Sequence, residues 1–351
     1  MAVNLKSPIH RIGGKFFLKD WLVQHIPKHT LYCEVFGGAG HVLFGKTPSR
    51  VEVLNDIDNN LVNFFQVIKD QENRRKLIET LRYMPYSRQV WQEMRDKIRG
   101  GDERVKSQKR QSIELRLKEC FGLSDRQIAK ELGVSDKTVG SVRKELESIA
   151  EIPQCSRQTS DGRIYPSQRQ NQKTNITRAA EWFYLNRSCF GGDMQSGGFA
   201  LPSTTGRNTA QSYANSIDTF HDIARRMQGV TVECLPYAEC IQRYDSKDTL
   251  FFCDPPYLNA EGYYGKKNFA YDDHRDLANM LNMVKGQVMV THYQNAFYDD
   301  LYKNWQNYTF ESFKGSHKAD AGEEKPVTTE VLYCNFSPGV KTRSLFSELL
   351  Q

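Results

Sequence analysis

The tetrapeptide Asp254-Pro255-Pro256-Tyr257 closes the apolar run TLFFCD (249–254) and combines the groups needed to activate a planar amine. An amine on an aromatic ring is a poor nucleophile because its lone pair is delocalised into the ring. Two acceptors aimed at its hydrogens favour a tetrahedral nitrogen and turn the lone pair towards an incoming methyl group. The Asp254 carboxylate and the Pro255 carbonyl are such acceptors, and consecutive prolines fix φ, remove competing donors and hold both oxygens rigidly. Tyr257 offers an aromatic face for stacking a base. An amine inside a stacked duplex is out of reach, so its base must first rotate out into the pocket. A lone D-P-P is also an ordinary strand-ending turn; the aromatic after it and two upstream features favour the chemical reading.

The first of these features is EVFGGAGHVLF (34–44), a glycine-rich turn between a strand ending at Glu34-Val35 and a helix beginning near His41. Glycines let the backbone approach a ligand closely, and a helix start offers unpaired donors. By itself a spaced glycine pair is weak evidence for a nucleotide-like ligand. The second is VLNDID (53–58), which ends a strand in an acid, Asp56, 22 residues after Glu34. An acid there accepts hydrogen bonds from ribose hydroxyls, and the plain alternative is a helix cap. A phosphate would be poorly served by Glu34 so close by, whereas a cationic adenosyl sulfonium suits it.

Further β-branched and aromatic runs flank these sites: LYCEVF (31–36), VEVLND (51–56), VTVECL (230–235), QVMVTH (287–292) and TEVLYCNF (329–336). Helical patterns such as Asp58–Lys69 and Asp272–Val284 lie between several of them. Apolar strands alternating with helices indicate a mainly parallel sheet. The middle is different. Between Arg104 and Arg178 stand 16 Lys/Arg against 9 Asp/Glu, while the rest of the chain is close to balance within a net charge of +6. A concentrated positive segment fits a polyanion, or else a solvated basic face.

Within that segment, IELRLKECFGLSDRQIAKELGVSDKTVGSVRKELESIA closely resembles a helix-turn-helix. Ser124 caps a helix over 125–132, Gly133 supplies the turn, and Ser135 or Asp136 caps a second helix through Leu146. Ile128, Leu132, Val134, Val139, Val142 and Leu146 form the inward set. Asp136, Lys137, Thr138 and Ser141 are expected to face base edges, with Arg143 and Lys144 on phosphates. A helical hairpin that packs on the catalytic domain, or binds protein, is the alternative. The Gln-, Ser- and Arg-rich stretch Ile152–Asn175 reads as a loop or linker.

In their order along the chain these motifs resemble the Dam-type adenine-N6 DNA methyltransferases, from about Ser7 to Pro338 apart from the inserted middle. The resemblance implies S-adenosyl-L-methionine as cofactor and site-specific transfer of its methyl group to N6 of an adenine flipped out of duplex DNA. It also implies an α/β, class I methyltransferase fold: Rossmann-like, with a mainly parallel seven-stranded sheet and an inserted, mainly helical DNA-recognition region. HRIGGKFFL (10–18) resembles the family's amino-terminal motif, so Gly13, Gly14 and Lys15 are expected at the methionine end of the cofactor. Arg11 stands beside them where the family's namesake has tryptophan.

Glu34, Phe36, Gly38 and Gly40 match the strand-turn motif, Asp56 its ribose-binding acid, and Tyr237 its aromatic near the cofactor adenine; Asp254 borders the cofactor too. RAAEWFYLNRSCFGG (178–192) is similar to the segment that leads into the family's DNA-contacting hairpin, which implies DNA contacts from Arg187 and Phe190. Phe190-Gly191 replaces the tyrosine–asparagine pair that the namesake inserts into the duplex. A phenylalanine can still wedge into the base stack. The likeness does not extend to a recognised sequence, and the helix-turn-helix is not part of the usual pattern.

The expected organisation is a catalytic domain of residues 1–80 and 228–351 and a target-recognition region of residues 81–227. The latter includes the helix-turn-helix at about 110–150 and a linker at about 151–175. A hydrophobic content of 39% with 26% charged residues is that of a globular chain. No run of about 18 apolar residues and no charged-then-apolar leader is present, so neither a membrane span nor a secretory signal is expected. The eight cysteines form no C-x-x-C pair. They are expected to be reduced thiols in the cytoplasm of a prokaryotic or phage-infected cell, with no metal site and no obligatory protein partner. Restriction-modification, phage or mobile-element ancestry fits. The alternatives are methylation of cytosine at N4, a DNA-binding regulator on a methyltransferase scaffold, and an RNA substrate. Those cytosine enzymes more often carry serine at position 254, and the inserted module is a duplex-DNA reader rather than an RNA fold.

Overall fold

The computed structural model describes residues 5–11, 13–99, 114–118, 122–132, 136–148, 157–158, 164–165, 174–204, 206–258, 269–313 and 327–339. Its strands are β1 Leu31–Glu34, β2 Val51–Asn55, β3 Arg157–Gln158, β4 Ile164–Tyr165, β5 Val230–Glu233, β6 Thr249–Cys253, β7 Gln287–Tyr293, β8 Gln306–Phe313 and β9 Val327–Cys334. Its helices are α1 Lys19–Gln24, α2 His41–Gly45, α3 Asn59–Lys69, α4 Gln71–Tyr83, α5 Arg88–Arg99, α6 Asp125–Leu132 and α7 Asp136–Ser148. They continue with α8 Ile176–Ser188, α9 Thr209–Asp218, α10 Phe220–Met227, α11 Tyr237–Tyr244, α12 Tyr271–Leu281 and α13 Ala296–Leu301.

The chain forms two compact units. The first comprises Met1–Leu54, Gly229–Thr231 and Cys240–Gln351; the second comprises Asn55–Gln228 and Val232–Glu239. The second unit starts at Asn55, so α3 and α4 belong with the helical region rather than with residues 1–54.

One sheet of seven strands runs in the order β5-β2-β1-β6-β7-β9-β8. The pairs β2/β1, β1/β6 and β6/β7 are parallel, and β7/β9 and β9/β8 are antiparallel. Every residue of β6, TLFFC, is buried, which is why this strand reads as a continuous apolar run. Each large apolar side chain taken out of water there contributes roughly 1.5–3 kcal/mol. β8, QNYTFESF, carries no such run; it lies at one edge of the sheet and, among the described residues, pairs with β9 alone.

In the second unit α8 is buried from Trp182 to Ser188, and Phe64 of α3 stacks on Phe183 at 5.1 Å between ring centroids. Asp58 caps α3 by accepting from the N–H groups of Asn60 and Leu61. α6 opens on a reciprocal cap: the Ser124 hydroxyl accepts from the Gln127 N–H, and the Gln127 side chain accepts from the Ser124 N–H at 3.0 Å. Ile128, Val139, Val142 and Leu146 close a small core with Leu117 and Ala129. The expected inward positions Leu132 and Val134 lie outside the residues whose side chains are described. Of 151–175, β3 and β4 form a two-residue antiparallel pair, and Asn175 caps α8.

Candidate active site

Parallel pairing sets Cys253 opposite Val290, so Asp254 emerges from β6 abreast of Thr291 on β7. The Thr291 hydroxyl donates to Oδ1 of Asp254 at 2.8 Å, and Nζ of Lys15 approaches the same oxygen at 2.9 Å. Lys15 also donates to the Gly13 carbonyl at 3.0 Å and lies 3.7 Å from Oε2 of Glu330 on β9. The Tyr257 hydroxyl donates to that Oε2 at 2.7 Å, and the Lys15 ammonium sits 4.5 Å from the centre of the Tyr257 ring. Lys15, Glu330 and Tyr257 are buried, whereas the Asp254 side chain keeps 19% exposure. Burial raises the Glu330 carboxyl, with Lys15 opposing the shift, and burial likewise raises the Tyr257 phenol. Pro255 is buried and Pro256 half-buried.

Two features of this cluster were not in the sequence-based reading. Lys15, expected at the methionine end of a cofactor, has its ammonium on the Asp254 carboxylate. Tyr257 is not an open stacking platform in this state: its hydroxyl is anchored, its ring is buried, and one cation already lies over it.

Glu34 ends β1 and is 2% exposed, and its Oε2 has no hydrogen-bond partner. Burial pushes its carboxyl up to about 8, against the pull of Lys46 and of the backbone N–H of Leu43. The turn that follows has left-handed glycines at Gly38 (φ +48°) and Gly40 (φ +66°). A side chain at position 40 would meet the Phe44 ring at 3.0 Å, and one at Gly14 would meet the Arg11 carbonyl and the His41 ring at 3.0 Å. Gly14 is therefore accounted for by packing against α2. That helix is one short turn of five residues. Gly13 is exposed at φ +74°, Arg11 is half-buried, and Phe36 lies edge-on to Phe269 at 5.7 Å. A buried acid with one unpartnered oxygen, beside a glycine turn, suits a cationic ligand better than a phosphate, because a nearby cation stabilises its ionised form.

In the second unit, Oδ1 of Asp56 accepts from the Asp58 N–H at 2.8 Å, and the cap of α3 is Asp58 rather than Asp56. The Asn55 amide pairs with both the N–H and the carbonyl of Leu235, at 2.9 and 3.1 Å. That clamp fixes the turn leading into Tyr237, the half-buried first residue of α11.

The expected DNA-facing residues divide. Phe190 is 53% exposed and opens a short turn through Gly191 at φ +65°. Ser141 and Lys144 are exposed on α7. The side chains of Lys137 and Thr138 lie outside those described. Two arginines are corrected. Arg143 is buried, with its guanidinium on the Asp125 carboxylate and the Leu123 carbonyl, so it ties α7 to the start of α6 instead of reaching phosphates. Arg187 is buried in α8 with Nη2 on the Ser212 carbonyl and hydroxyl, and burial lowers it to about 10.

A seven-stranded mixed sheet with helices, in the order β5-β2-β1-β6-β7-β9-β8, is the architecture of a class I methyltransferase. The sequence pattern of the family described as D12 class N6 adenine-specific DNA methyltransferase matches residues 12–316, and the chain belongs to that family. It is also 22% identical over 344 residues to the DNA adenine methylases of Salmonella typhi and Salmonella typhimurium, covering 94% of this chain and 95% of each relative. Its activity is methylation of adenine N6 in DNA. No helix among the described residues is long and apolar enough to cross a membrane.

Proposed function

We propose that the methyl donor is S-adenosyl-L-methionine, and that Asp254 and the Pro255 carbonyl accept from the N6 amine of an adenine flipped out of duplex DNA. The observation that carries this reading is the Asp254 carboxylate at the end of β6, tied through one oxygen while its side chain keeps contact with solvent. The bound cofactor supplies an electrophilic methyl on a sulfonium. Glu34, at the start of the glycine turn, offers its unpartnered oxygen to the cationic end of that molecule. Gly13, Phe36, Gly38 and Gly40 would shape its cradle in the first unit, and in the second unit Asp56 would serve the ribose hydroxyls and Tyr237 the adenine.

With the amine's hydrogens held, the nitrogen becomes tetrahedral and its lone pair points at the methyl. As the N–C bond forms, the methyl's bond to sulfur would break and leave a neutral thioether; the methylated nitrogen would then carry an extra proton, which leaves through the Asp254 carboxylate. Pro256 rigidifies the turn. Tyr257 takes the flipped base once Lys15 and the ring adjust to it. Phe190 supports the displaced stack, and α7 contacts the duplex through Ser141 and Lys144, with Lys137 and Thr138 on the same helix. Residues 81–227, with the helix pair α6/α7 among them, act as the target-recognition region. The setting is the cytoplasm of a prokaryotic or phage-infected cell.

The test uses purified protein, unmethylated genomic DNA and isotopically labelled S-adenosyl-L-methionine, with mass analysis of the released nucleosides. Labelled N6-methyladenosine is expected. Asp254→Ala should lower the single-turnover rate by roughly 10³-fold while cofactor affinity changes only a few-fold. An Asp254→Ala protein that methylates at the wild-type rate would falsify the assignment.

A further inference from the structure

We propose that Thr291 and Glu330 are positioning residues that set how Asp254 presents itself to the adenine amine. The proposal rests on the reading of Asp254 as the amine's acceptor. Both donors near this carboxylate, the Thr291 hydroxyl at 2.8 Å and the Lys15 ammonium at 2.9 Å, converge on Oδ1. Oδ2 makes no hydrogen bond among the described residues, and the side chain is still 19% exposed. A carboxylate anchored through one oxygen has its plane fixed and its second oxygen aimed, before any substrate arrives.

Glu330 keeps that arrangement from collapsing. A buried ammonium beside a single carboxylate would move across it and engage both oxygens, because each added hydrogen bond offsets its desolvation. Here Glu330 holds Lys15 from the other side at 3.7 Å, and the same oxygen receives the Tyr257 hydroxyl at 2.7 Å. The acid sits opposite Tyr293 in the antiparallel β7/β9 ladder, so the sheet itself sets its distance from Asp254. Thr291 and Glu330 thus divide one task. Thr291 fixes the carboxylate, and Glu330 restrains the lysine that would otherwise block it.

Three full-length variants test this: Thr291→Val, Thr291→Ser and Glu330→Gln, each assayed for single-turnover methylation of unmethylated DNA, KM for DNA, and affinity for S-adenosyl-L-methionine by calorimetry. Thr291→Val keeps the side chain's shape and removes the donor; it should lower kcat about 10- to 30-fold with KM and cofactor affinity held within about threefold. Thr291→Ser loses a buried methyl but keeps the donor, and should stay within about threefold of wild type. A residue that only packs gives the opposite order. Glu330→Gln should lower kcat about 10-fold, again without a change in cofactor affinity.

Rates normalised to cofactor-competent protein keep the order meaningful if one variant is less stable. Thr291→Val at the wild-type rate, or Thr291→Ser slower than Thr291→Val, overturns the role of Thr291; Glu330→Gln at the wild-type rate overturns that of Glu330. A large loss in Asp254→Ala with wild-type rates in all three variants sinks this inference alone. An active Asp254→Ala sinks the reading beneath it.

Discussion

Among the described residues, two of the buried cations held by acids, Arg143 and Lys15, are held differently. Arg143 in the helix pair α6/α7 has its guanidinium on a carboxylate and a backbone carbonyl of the segment it braces. Lys15 lies between two carboxylates, one of which keeps an oxygen without a partner. A cation whose partners all belong to the local fold is there to hold that fold. A buried pair that leaves an acceptor open holds a place for something else. Glu34, with its unpartnered Oε2, falls on the second side of this division.

The division gives three tests, the largest effect first. Arg143→Met leaves Asp125 and the Leu123 carbonyl without their donor, and should cost the helix pair about 3–5 kcal/mol. Loss of amide-exchange protection over α6 and α7 would show it, and Arg143→Lys should rescue little because it lacks the planar fork. If Arg143→Met instead kept full protection and only lowered the salt dependence of DNA binding, the arginine would belong on phosphate after all.

Glu34 should behave in the opposite sense. Its carboxyl is raised to about 8 from 4.5, so the folded chain keeps a proton that the unfolded chain has released. Stability contributed by that proton is present at low pH and is lost as pH rises from about 4.5 to about 8. In ligand-free protein Glu34→Gln should therefore be more stable than wild type at pH 8.5, by roughly 3–5 kcal/mol, with the gap closing near pH 4.5. Melting curves across that range check it, and a constant gap would remove Glu34 from the unsatisfied class.

The smallest effect belongs to an exposed cation. Lys144→Ala should weaken DNA binding a few-fold and reduce the slope of log affinity against log salt by about one, with kcat unchanged. An unchanged slope would take α7 off the duplex.

Much of the candidate site's framework was legible in the sequence because each motif closes a buried strand. Glu34 ends β1, Asp56 follows β2 and Asp254 follows β6, and a continuous apolar run announces such strands. β8 was missed because an edge strand alternates polar and aromatic residues in QNYTFESF and has no such run. Thr291 and Glu330 were missed for another reason. They come near Asp254 only through ladder register, which no local pattern encodes, although a threonine and an acid inside apolar runs are a usable signal.

Arg143 was misplaced by its charge. It stands four residues after Val139 and three before Leu146, on the inward face of α7, so helical spacing alone would have put it inside. Arg187 repeats the lesson in α8, where Trp182 through Ser188 are all buried.

The order of the sheet has one more consequence. The chain leaves the sheet after β2 and resumes it at β5, which is the strand beside β2. An excursion that begins and ends on neighbouring strands can lengthen, shorten or be exchanged without shifting the register of the strands that carry Glu34, Asp254, Thr291 and Glu330. On the roles proposed above, reading of the target and transfer of the methyl group should thereby be separable under mutation, and exchange of the helix pair α6/α7 should alter the first task alone.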